Sequence, residues 1–469
     1  MIELKIDNRT VEANEGETVL QAALRSGIEI PHFCYHPCLS VAGNCRICQV
    51  KVDGRPKLVP SCNLPVAPGM TVETDTEEVR EARRAVLQFI TLNHPGDCGI
   101  CDKAGECRLQ DYHVRYGEEE SRSREPKHHR PKFNELSPRI VLDNERCILC
   151  SRCVRFTREV SGSHQLGIVE RGSHARVERL EGRPFDDPYS DNVIGLCPTG
   201  ALLSRDFLYK SRIWYLEPVR SVCTGCARCC SVNVWRRQRE WHVRALGAGL
   251  NRTAYRVTPF ENPGINGPWL CNKGFDLHRR MARKRALTPL IGGREATVAE
   301  AVAEAKRLLA AAENPAVLVF AHASNEELAA FRDGPGRRVQ VYTREDYHTV
   351  PGEVTEDDFL IQGNKNPASY SIRALFGSRP YAPEARHDLV VIWGERVDYH
   401  ALGGTKLIHL ASFEPAGETA ADLLIPVSTT FERSGTFTNF EGKVNRFEKV
   451  FDKPAQVLHA GDLFGRLAP

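Results

Sequence analysis

Seventeen cysteines lie between Cys34 and Cys271, and most of them fall into four groups with the spacing of metal or cluster ligands. The first group has the pattern C-x10-C-x2-C-x13-C and consists of Cys34, Cys45, Cys48 and Cys62. Four thiolates are enough for a 2Fe-2S cluster, and Gly43 in the loop lets backbone N–H groups approach the sulfides. A zinc site is the alternative, although such sites more often pair two C-x2-C motifs. We expect the leftover Cys38 to be a buried neutral thiol.

The second group combines three cysteines with a histidine. It follows the pattern H-x3-C-x2-C-x5-C and consists of His94, Cys98, Cys101 and Cys107. Three thiolates and one imidazole hold either a zinc ion or a 4Fe-4S cluster, so the spacing alone leaves both open. An imidazole in place of a thiolate removes one negative charge and should raise the reduction potential of a cluster.

The third group has the arrangement of a bacterial ferredoxin. The pattern C-x2-C-x2-C is completed by a distant cysteine before a proline, which gives Cys147, Cys150, Cys153 and Cys197. This arrangement is typical of a 4Fe-4S cluster. The cysteines that a second ferredoxin cluster would need are replaced by Thr157, Asp187, Ser190 and Val193. The segment therefore resembles a two-cluster ferredoxin that has kept one cluster.

The fourth group fits a further 4Fe-4S site, with the pattern C-x2-C-x3-C and one later cysteine. Its members are Cys223, Cys226, Cys230 and Cys271, and Cys229 is the alternative to Cys230. The four groups use fifteen thiolates and one imidazole and leave two cysteines over. This near-complete use of the cysteines argues for clusters throughout.

The elements before the second group can be predicted from local patterns. The N-terminal segment indicates two strands around a turn at Asn8–Arg9, followed by a helix that Gly27 closes. Residues 76–92 predict a helix with Thr76 as its N-cap, which leads directly into His94.

The later part of the chain divides at two points. Residues 118–138 are charged and contain three prolines, which predicts a linker or a long surface loop. From residue 272 onward there is no cysteine, and apolar runs alternate with helical patterns. Such alternation predicts a parallel α/β sheet.

Composition excludes several classes of function. The net charge of +3, from 63 basic and 60 acidic residues, does not indicate a nucleic-acid-binding protein. The N-terminus lacks the pattern of a signal peptide, and no apolar run of about 18 residues predicts a membrane span. No G-x-G-x-x-G fingerprint is present, so oxidation of a nicotinamide would belong to a partner.

The order of these motifs resembles the large iron–sulfur subunit of bacterial respiratory complex I, the NADH:quinone oxidoreductase. The resemblance is carried by "CYHPCLSVAGNCRICQV", "NHPGDCGICDKAGECRLQDY", "RCILCSRCVRF", "CPTGAL" and "ERSGTFTNFEGKVNRF". It implies one 2Fe-2S cluster on the first group and three 4Fe-4S clusters on the others, with His94 as a cluster ligand. No flavin and no molybdenum are expected.

The resemblance also implies a multidomain chain of α+β and α/β type. The expected domains are an N-terminal β-grasp 2Fe-2S ferredoxin domain (1–78), a helical histidine/cysteine-ligated 4Fe-4S domain (79–120), a 4Fe-4S ferredoxin-like domain with one cluster (137–212), a 4Fe-4S domain of molybdopterin-oxidoreductase type (216–275) and a shortened molybdopterin-oxidoreductase-like α/β domain (276–469). Lys273 lies where related formate dehydrogenases keep a lysine between cluster and pterin.

The function implied is electron transfer within an enzyme complex, with no catalytic residue on this chain. A flavin-bearing, NADH-oxidising subunit would supply electrons, and quinone-side iron–sulfur subunits would accept them. The protein would lie peripherally on the cytoplasmic side of the inner membrane. The fourth cluster lies off the route in that family. The alternatives are a formate dehydrogenase-like molybdenum oxidoreductase and a zinc-stapled scaffold; the cysteine-free C-terminal part cannot hold the catalytic cluster of an iron hydrogenase.

Overall fold

The chain folds into two compact units, Met1–Trp214 and Tyr215–Pro469. The computed structural model describes residues 1–118, 120–132, 134–180, 184–241, 252–320, 323–343, 354–381, 386–394, 405–415 and 421–467. Within these ranges no helix is long and apolar enough to cross a membrane.

The first unit opens with a five-stranded mixed sheet in the order β2-β1-β5-β3-β4. Its strands are β1 (Ile2–Ile6), β2 (Arg9–Ala13), β3 (Gln49–Val52), β4 (Val59–Pro60) and β5 (Thr71–Glu73). The first turn lies at Asp7–Asn8, one residue earlier than predicted. Both residues have positive φ, of 51° and 64°, which is the backbone of a two-residue hairpin turn that matches the twist of the strands.

Helix α1 (Val19–Arg25) packs its apolar face on this sheet. It begins at Thr18, which forms a capping box with Gln21, and Gly27 follows its end with a φ of 70°. The predicted helix before His94 is also confirmed, as α2 (Glu77–Thr91), and the hydroxyl of Thr76 accepts a hydrogen bond from the backbone N–H of Val79 at 3.3 Å.

The rest of the first unit consists of short elements that surround cysteine-bearing loops. They are α3 (Arg108–Tyr116), β6 (Asn134–Glu135), β7 (Ile140–Leu142), α4 (Arg152–Glu159), β8 (Leu166–Val169), β9 (Arg176–Arg179), α5 (Asn192–Leu196) and β10 (Leu202–Ser204). Strands β10, β7 and β6 form one sheet, and β8 pairs with β9. The predicted loop at 118–138 is confirmed for residues 120–132, which form no helix or strand, but the short strand β6 lies within its last part. Within them, the ammonium of Lys127 donates to the carbonyl oxygens of Thr91, Leu92 and His94, at 2.9, 3.0 and 2.9 Å.

The second unit starts with an antiparallel sheet and two short helices. These are β11 (Leu216–Val222), β12 (Ser231–Arg237), β13 (Arg256–Pro259), α6 (Asn272–Phe275) and α7 (Leu277–Met281). The larger sheet has the order β15-β14-β21-β20-β19-β16-β17-β18. Its strands are β14 (Leu290–Ile291), β15 (Arg294–Glu295), β16 (Pro315–Val319), β17 (Gln340–Thr343), β18 (Arg379–Pro380), β19 (Leu389–Trp393), β20 (Lys406–Ala411) and β21 (Leu423–Pro426).

Pairing in this larger sheet is parallel from β18 to β21, which confirms the predicted α/β pattern. Alternate residues of β16 face two different apolar clusters: Val317 and Val319 face one, and Ala316 and Leu318 face the other. Because both faces of the sheet are buried, the strands appear in the sequence as continuous apolar runs. The remaining elements are α8 (Val298–Ala311), α9 (Asn325–Asp333), α10 (Ser369–Phe376), β22 (Gly435–Thr438), β23 (Val444–Phe447) and α11 (Ala460–Leu467).

The capping box of α8 provides a test of this fold. The backbone N–H of Glu300 donates to the hydroxyl of Thr297 at 3.3 Å, and the backbone N–H of Thr297 donates to the carboxylate of Glu300 at 2.8 Å. Thr297→Ala removes the side-chain acceptor, so the free energy of opening of α8 should fall by about 1 kcal/mol. Amide hydrogen exchange across residues 298–311 measures it. The control is Lys306→Ala, at an exposed position of the same helix; equal exchange in the two variants would contradict the assigned cap.

Candidate metal centres

The four cysteines of the first group come from three irregular segments that meet beside the first sheet. Cys34 follows α1, Cys45 and Cys48 precede β3, and Cys62 lies in a short 3-10 turn after β4. The backbone N–H of Cys34 approaches Cys45 Sγ at 3.4 Å. Hydrogen bonds from the thiols of Cys45 and Cys62 lower the pKa of Cys34. The remaining cysteine, Cys38, is exposed, and the prediction that it is buried is wrong.

The second group lies in the loop that joins α2 to α3. Cys101 and Cys107 are buried, and Cys98 is exposed. Cys107 is the N-cap residue of α3. The Nδ1 atom of His94 is buried and has no hydrogen-bond partner among the described residues. Burial also lowers the pKa of His94 to about 4, which keeps the imidazole neutral. A neutral ring with a free nitrogen is the form that binds a metal.

This loop packs against the segment that carries the last cysteine of the third group. A Cβ atom at Gly200 would lie 2.3 Å from Cys101 Sγ. The backbone N–H of Arg108 donates to the carbonyl of Pro198 at 3.0 Å. Arg212 donates to the carbonyl of Cys101 at 2.5 Å. The segments of the second and third groups therefore lie in direct contact, through the Arg108–Pro198 hydrogen bond and the close approach of Gly200 to Cys101.

The third group surrounds an apolar cavity. Its four cysteines line this cavity together with apolar residues such as Leu142, Ile148 and Val177. Burial raises the pKa of the Cys147 and Cys150 thiols to about 12. Thiols in such a site stay protonated unless a metal replaces the protons, so the donor set fits a thiolate-ligated cluster.

The backbone of this loop is strained in the way that functional loops often are. Leu149 and Ser151 have φ values of 52° and 60°, which non-glycine residues adopt infrequently. The backbone N–H of Leu149 approaches Cys147 Sγ at 3.4 Å. The strained turns thus let the chain wrap around the cavity with an N–H directed at sulfur.

The fourth group lies entirely in the second unit. The backbone N–H of Cys223 donates to the carbonyl of Cys230 at 2.8 Å. Cys271 is the N-cap residue of α6. Cys230 packs in the same small apolar cluster as Cys223. Cys229 instead packs in the main core of the unit, and its thiol donates to the carbonyl of Pro367 at 3.5 Å. The two adjacent cysteines thus point to different environments, and Cys230 is the one that lies with the group.

Three of the four groups also share a cleft. Cys45, His94 and Cys147, one residue from each of the first three groups, line the same opening in the first unit. Arg146 connects the second and third groups: its buried guanidinium pairs with Asp97 and lies 3.3 Å from the carboxylate of Asp143.

Sequence reasoning missed several buried cations near the cysteines. In the first unit they include Arg146, Arg152 and Arg155, each of which lies within two residues of a cysteine in the sequence but follows no ligand spacing. In the second unit Lys365 is 9% exposed, and its ammonium donates to the carbonyl of Thr355 at 2.5 Å. Burial lowers the pKa of Lys365, and the thiolates of Cys226 and Cys271 oppose this shift. No local signal in the sequence connects Lys365 with cysteines more than 90 positions away.

Among the described residues, no three His, Cys, Asp or Glu side chains converge on a position where one metal ion could bind. The ligands of an iron–sulfur cluster are distributed over several irons and need no such common point.

Three stretches of the chain match models of iron–sulfur domains. Residues 1–77 match a 2Fe-2S iron-sulfur cluster binding domain, and residues 83–122 match the NADH-ubiquinone oxidoreductase-G iron-sulfur binding region. Residues 137–203 match the ferredoxin-like domain of NADH-quinone oxidoreductase subunit 3. The chain thus contains 2Fe-2S and 4Fe-4S ferredoxin-like domains.

The relatives of the chain carry consistent names. The G subunit of the NADH-quinone oxidoreductase of Rickettsia felis is 40% identical over 273 residues, which cover 58% of this chain and 39% of that protein. The mitochondrial NADH dehydrogenase [ubiquinone] iron-sulfur protein 1 of Solanum tuberosum is 39% identical over 62% of this chain and 38% of its own length. The corresponding G subunit of Streptomyces coelicolor is 38% identical over 63% and 34%.

The match thus spans less than half the length of each of these relatives. A solved chain of an NAD+-reducing [NiFe]-hydrogenase in the H2-reduced state is 32% identical and covers 45% of this chain and 91% of its own, with a TM-score of 0.42. The named relatives and the three domain matches together show that this chain is similar, over 58% to 63% of its length, to part of the NADH-quinone oxidoreductase G subunits.

Proposed function

We propose that this chain is the electron-transfer subunit of an NADH:quinone oxidoreductase and holds one 2Fe-2S and three 4Fe-4S clusters. The observation that carries the proposal is the shared cleft of the first unit, which is lined by Cys45, His94 and Cys147. Each of these residues belongs to a different ligand group. Iron–sulfur clusters exchange single electrons, and neighbouring clusters form a route for them.

The proposed ligands are the residues that the spacing predicts. The 2Fe-2S cluster is bound by Cys34, Cys45, Cys48 and Cys62. The 4Fe-4S clusters are bound by His94, Cys98, Cys101 and Cys107, by Cys147, Cys150, Cys153 and Cys197, and by Cys223, Cys226, Cys230 and Cys271. The free Nδ1 atom of His94 supports the second set, and the separate packing of Cys229 supports Cys230 in the last set.

The proposed domains follow these ligand sets. They are a β-grasp 2Fe-2S domain at 1–78, a helical 4Fe-4S domain at 79–120, a ferredoxin-like domain at 137–212, a molybdopterin-oxidoreductase-type 4Fe-4S domain at 216–275 and a shortened molybdopterin-oxidoreductase-like domain at 276–469. The parallel sheet of the second unit, buried on both faces, supports the α/β character of the last domain.

The residues of this chain prepare the sites and do no bond chemistry. The thiols of the third group lie in an apolar environment. The imidazole of His94 is neutral, so the second site carries one negative charge fewer than a site with four thiolates. Electrons would enter from a flavin-bearing, NADH-oxidising subunit at the 2Fe-2S cluster. They would pass through the third and second groups to quinone-side subunits of a complex peripheral to the cytoplasmic face of the inner membrane. The enzyme activity belongs to that complex.

Metal content is the first test of this function. The anaerobically purified chain is expected to contain about 14 irons, with neither molybdenum nor zinc in stoichiometric amount. Elemental analysis measures all three metals in one sample. Stoichiometric molybdenum would instead indicate a formate dehydrogenase-like oxidoreductase, and zinc in place of one cluster's iron would show that one of the four sites is a zinc site.

A pair of glycine variants tests the second ligand set. Gly200→Ala places a methyl group 2.3 Å from Cys101 Sγ, whereas a Cβ atom at Gly195 meets nothing within 4 Å. Gly200→Ala should therefore displace Cys101 and lower the iron content by about four atoms, which is one 4Fe-4S cluster. Gly195→Ala should leave it unchanged. Iron analysis and electron paramagnetic resonance of the reduced protein measure the loss; full iron in Gly200→Ala would rule Cys101 out as a ligand.

A further inference from the structure

Two buried arginines of α4 lie between the loop of the first group and that of the third. Arg152 and Arg155 are each 4% exposed. The Nη2 atom of Arg155 donates to the carbonyl of Cys34 at 2.5 Å and to the carbonyl of Cys150 at 3.4 Å. One guanidinium therefore joins the backbone of a residue in the first ligand group to that of a residue in the third.

Arg152 makes a second connection of the same kind. Its Nη2 atom donates to the carbonyl of Tyr35, the residue after Cys34, and its Nη1 atom donates to the carbonyl of Leu196 at 3.2 Å, the residue before Cys197. Its Nε atom is buried and has no hydrogen-bond partner among the described residues. The two side chains together touch both loops at residues next to, or within, the ligand groups.

Neither arginine pairs with a carboxylate in the described parts of the chain. The Nη1 atom of Arg155 donates to the carbonyl of Ser40, and its Nε atom donates to the hydroxyl of Ser151 at 3.1 Å. Glu159, the acidic residue on the same helix, accepts hydrogen bonds from Ser40 at 2.7 and 2.6 Å instead, although Arg155 is near enough to help lower its pKa. Buried charges are normally paired, so two buried cations with only neutral acceptors require an explanation.

The cysteines on either side can supply negative charge, because they are thiolates when they bind a cluster. A cluster with four thiolate ligands is itself an anion, and its reduction adds one more negative charge. A fixed cation beside it therefore stabilises the reduced form more than the oxidised form.

We propose that Arg152 and Arg155 are positioning residues that hold the first and third cluster sites together and raise the reduction potentials of both clusters. The anionic clusters act as the counter-ions of the two guanidinium groups. The inference rests on the proposed function, because it requires clusters at both sites, but it adds a role for two residues that bind no iron.

The test is a redox titration of the full chain, followed by electron paramagnetic resonance. Arg155→Gln removes the charge and keeps a hydrogen-bond donor. The potentials of the first and third clusters are expected to fall, whereas those of the second and fourth should not change. Loss of one signal in a Cys153→Ser variant identifies the third cluster beforehand. The control is Arg158→Gln on the same helix, whose side chain is 57% exposed and pairs with Glu159; it should leave all potentials unchanged.

Two lysine variants separate charge from geometry. Arg155→Lys and Arg152→Lys keep the charge and lose the planar fork, so each should retain the iron and a potential close to that of the wild type. If Arg155→Gln keeps its iron and both potentials match the wild type, the proposal is wrong. If Arg155→Gln loses iron, the iron content of Arg155→Lys distinguishes the two roles. If Arg155→Lys also loses iron, the role of Arg155 is purely structural and the proposal is wrong. A wild-type chain without reducible clusters would refute the proposed function instead.

Discussion

Hydrogen bonds from buried guanidinium groups to backbone carbonyls hold the cysteine-bearing loops of the first unit in place. These loops contain little regular structure, so their carbonyl groups lack the partners that a helix or sheet would provide. The buried Arg152 and Arg155 donate to the loop of the first group, and the half-buried Arg212 donates to the loop of the second. Each of these arginines donates to a carbonyl more than 100 positions away in the sequence. The cysteine-bearing loops therefore depend on tertiary contacts for their shape.

The same arginines connect the shape of the loops with their electrostatics. A carbonyl can be satisfied by a neutral donor, but a buried cation also requires negative charge nearby. In the first unit that charge is available from thiolates, and Arg146 alone of the three buried arginines near the third group has carboxylate partners, Asp97 and Asp143. Around the third group, stability of the loops and affinity for a metal centre are therefore coupled, because burial keeps the thiols of Cys147 and Cys150 protonated unless a metal binds.

The second unit is built on a different principle. Its large sheet is buried on both faces, and the apolar side chains of β16, β19 and β20 stabilise it by packing into the clusters on those faces. The fourth group lies outside that sheet, in loops around β11, β12 and α6. Cys230 faces these loops while Cys229 packs into the core, so a single step along the backbone separates a candidate ligand from a core residue.

The sequence by itself determined the local features of this protein. Ligand spacing within each group, the N-cap at Thr76 and the apolar runs of the parallel strands all depend on residues a few positions apart, and these interactions form in any fold that contains the segment. The tertiary structure decided which distant segments meet. Four features depend on packing between segments tens to hundreds of residues apart. They are the exposure of Cys38, the different packing of Cys229 and Cys230, the shared cleft of the first three groups, and the placement of Lys365, Arg152 and Arg155. No local pattern encodes such contacts, because they arise from the burial of whole elements against one another.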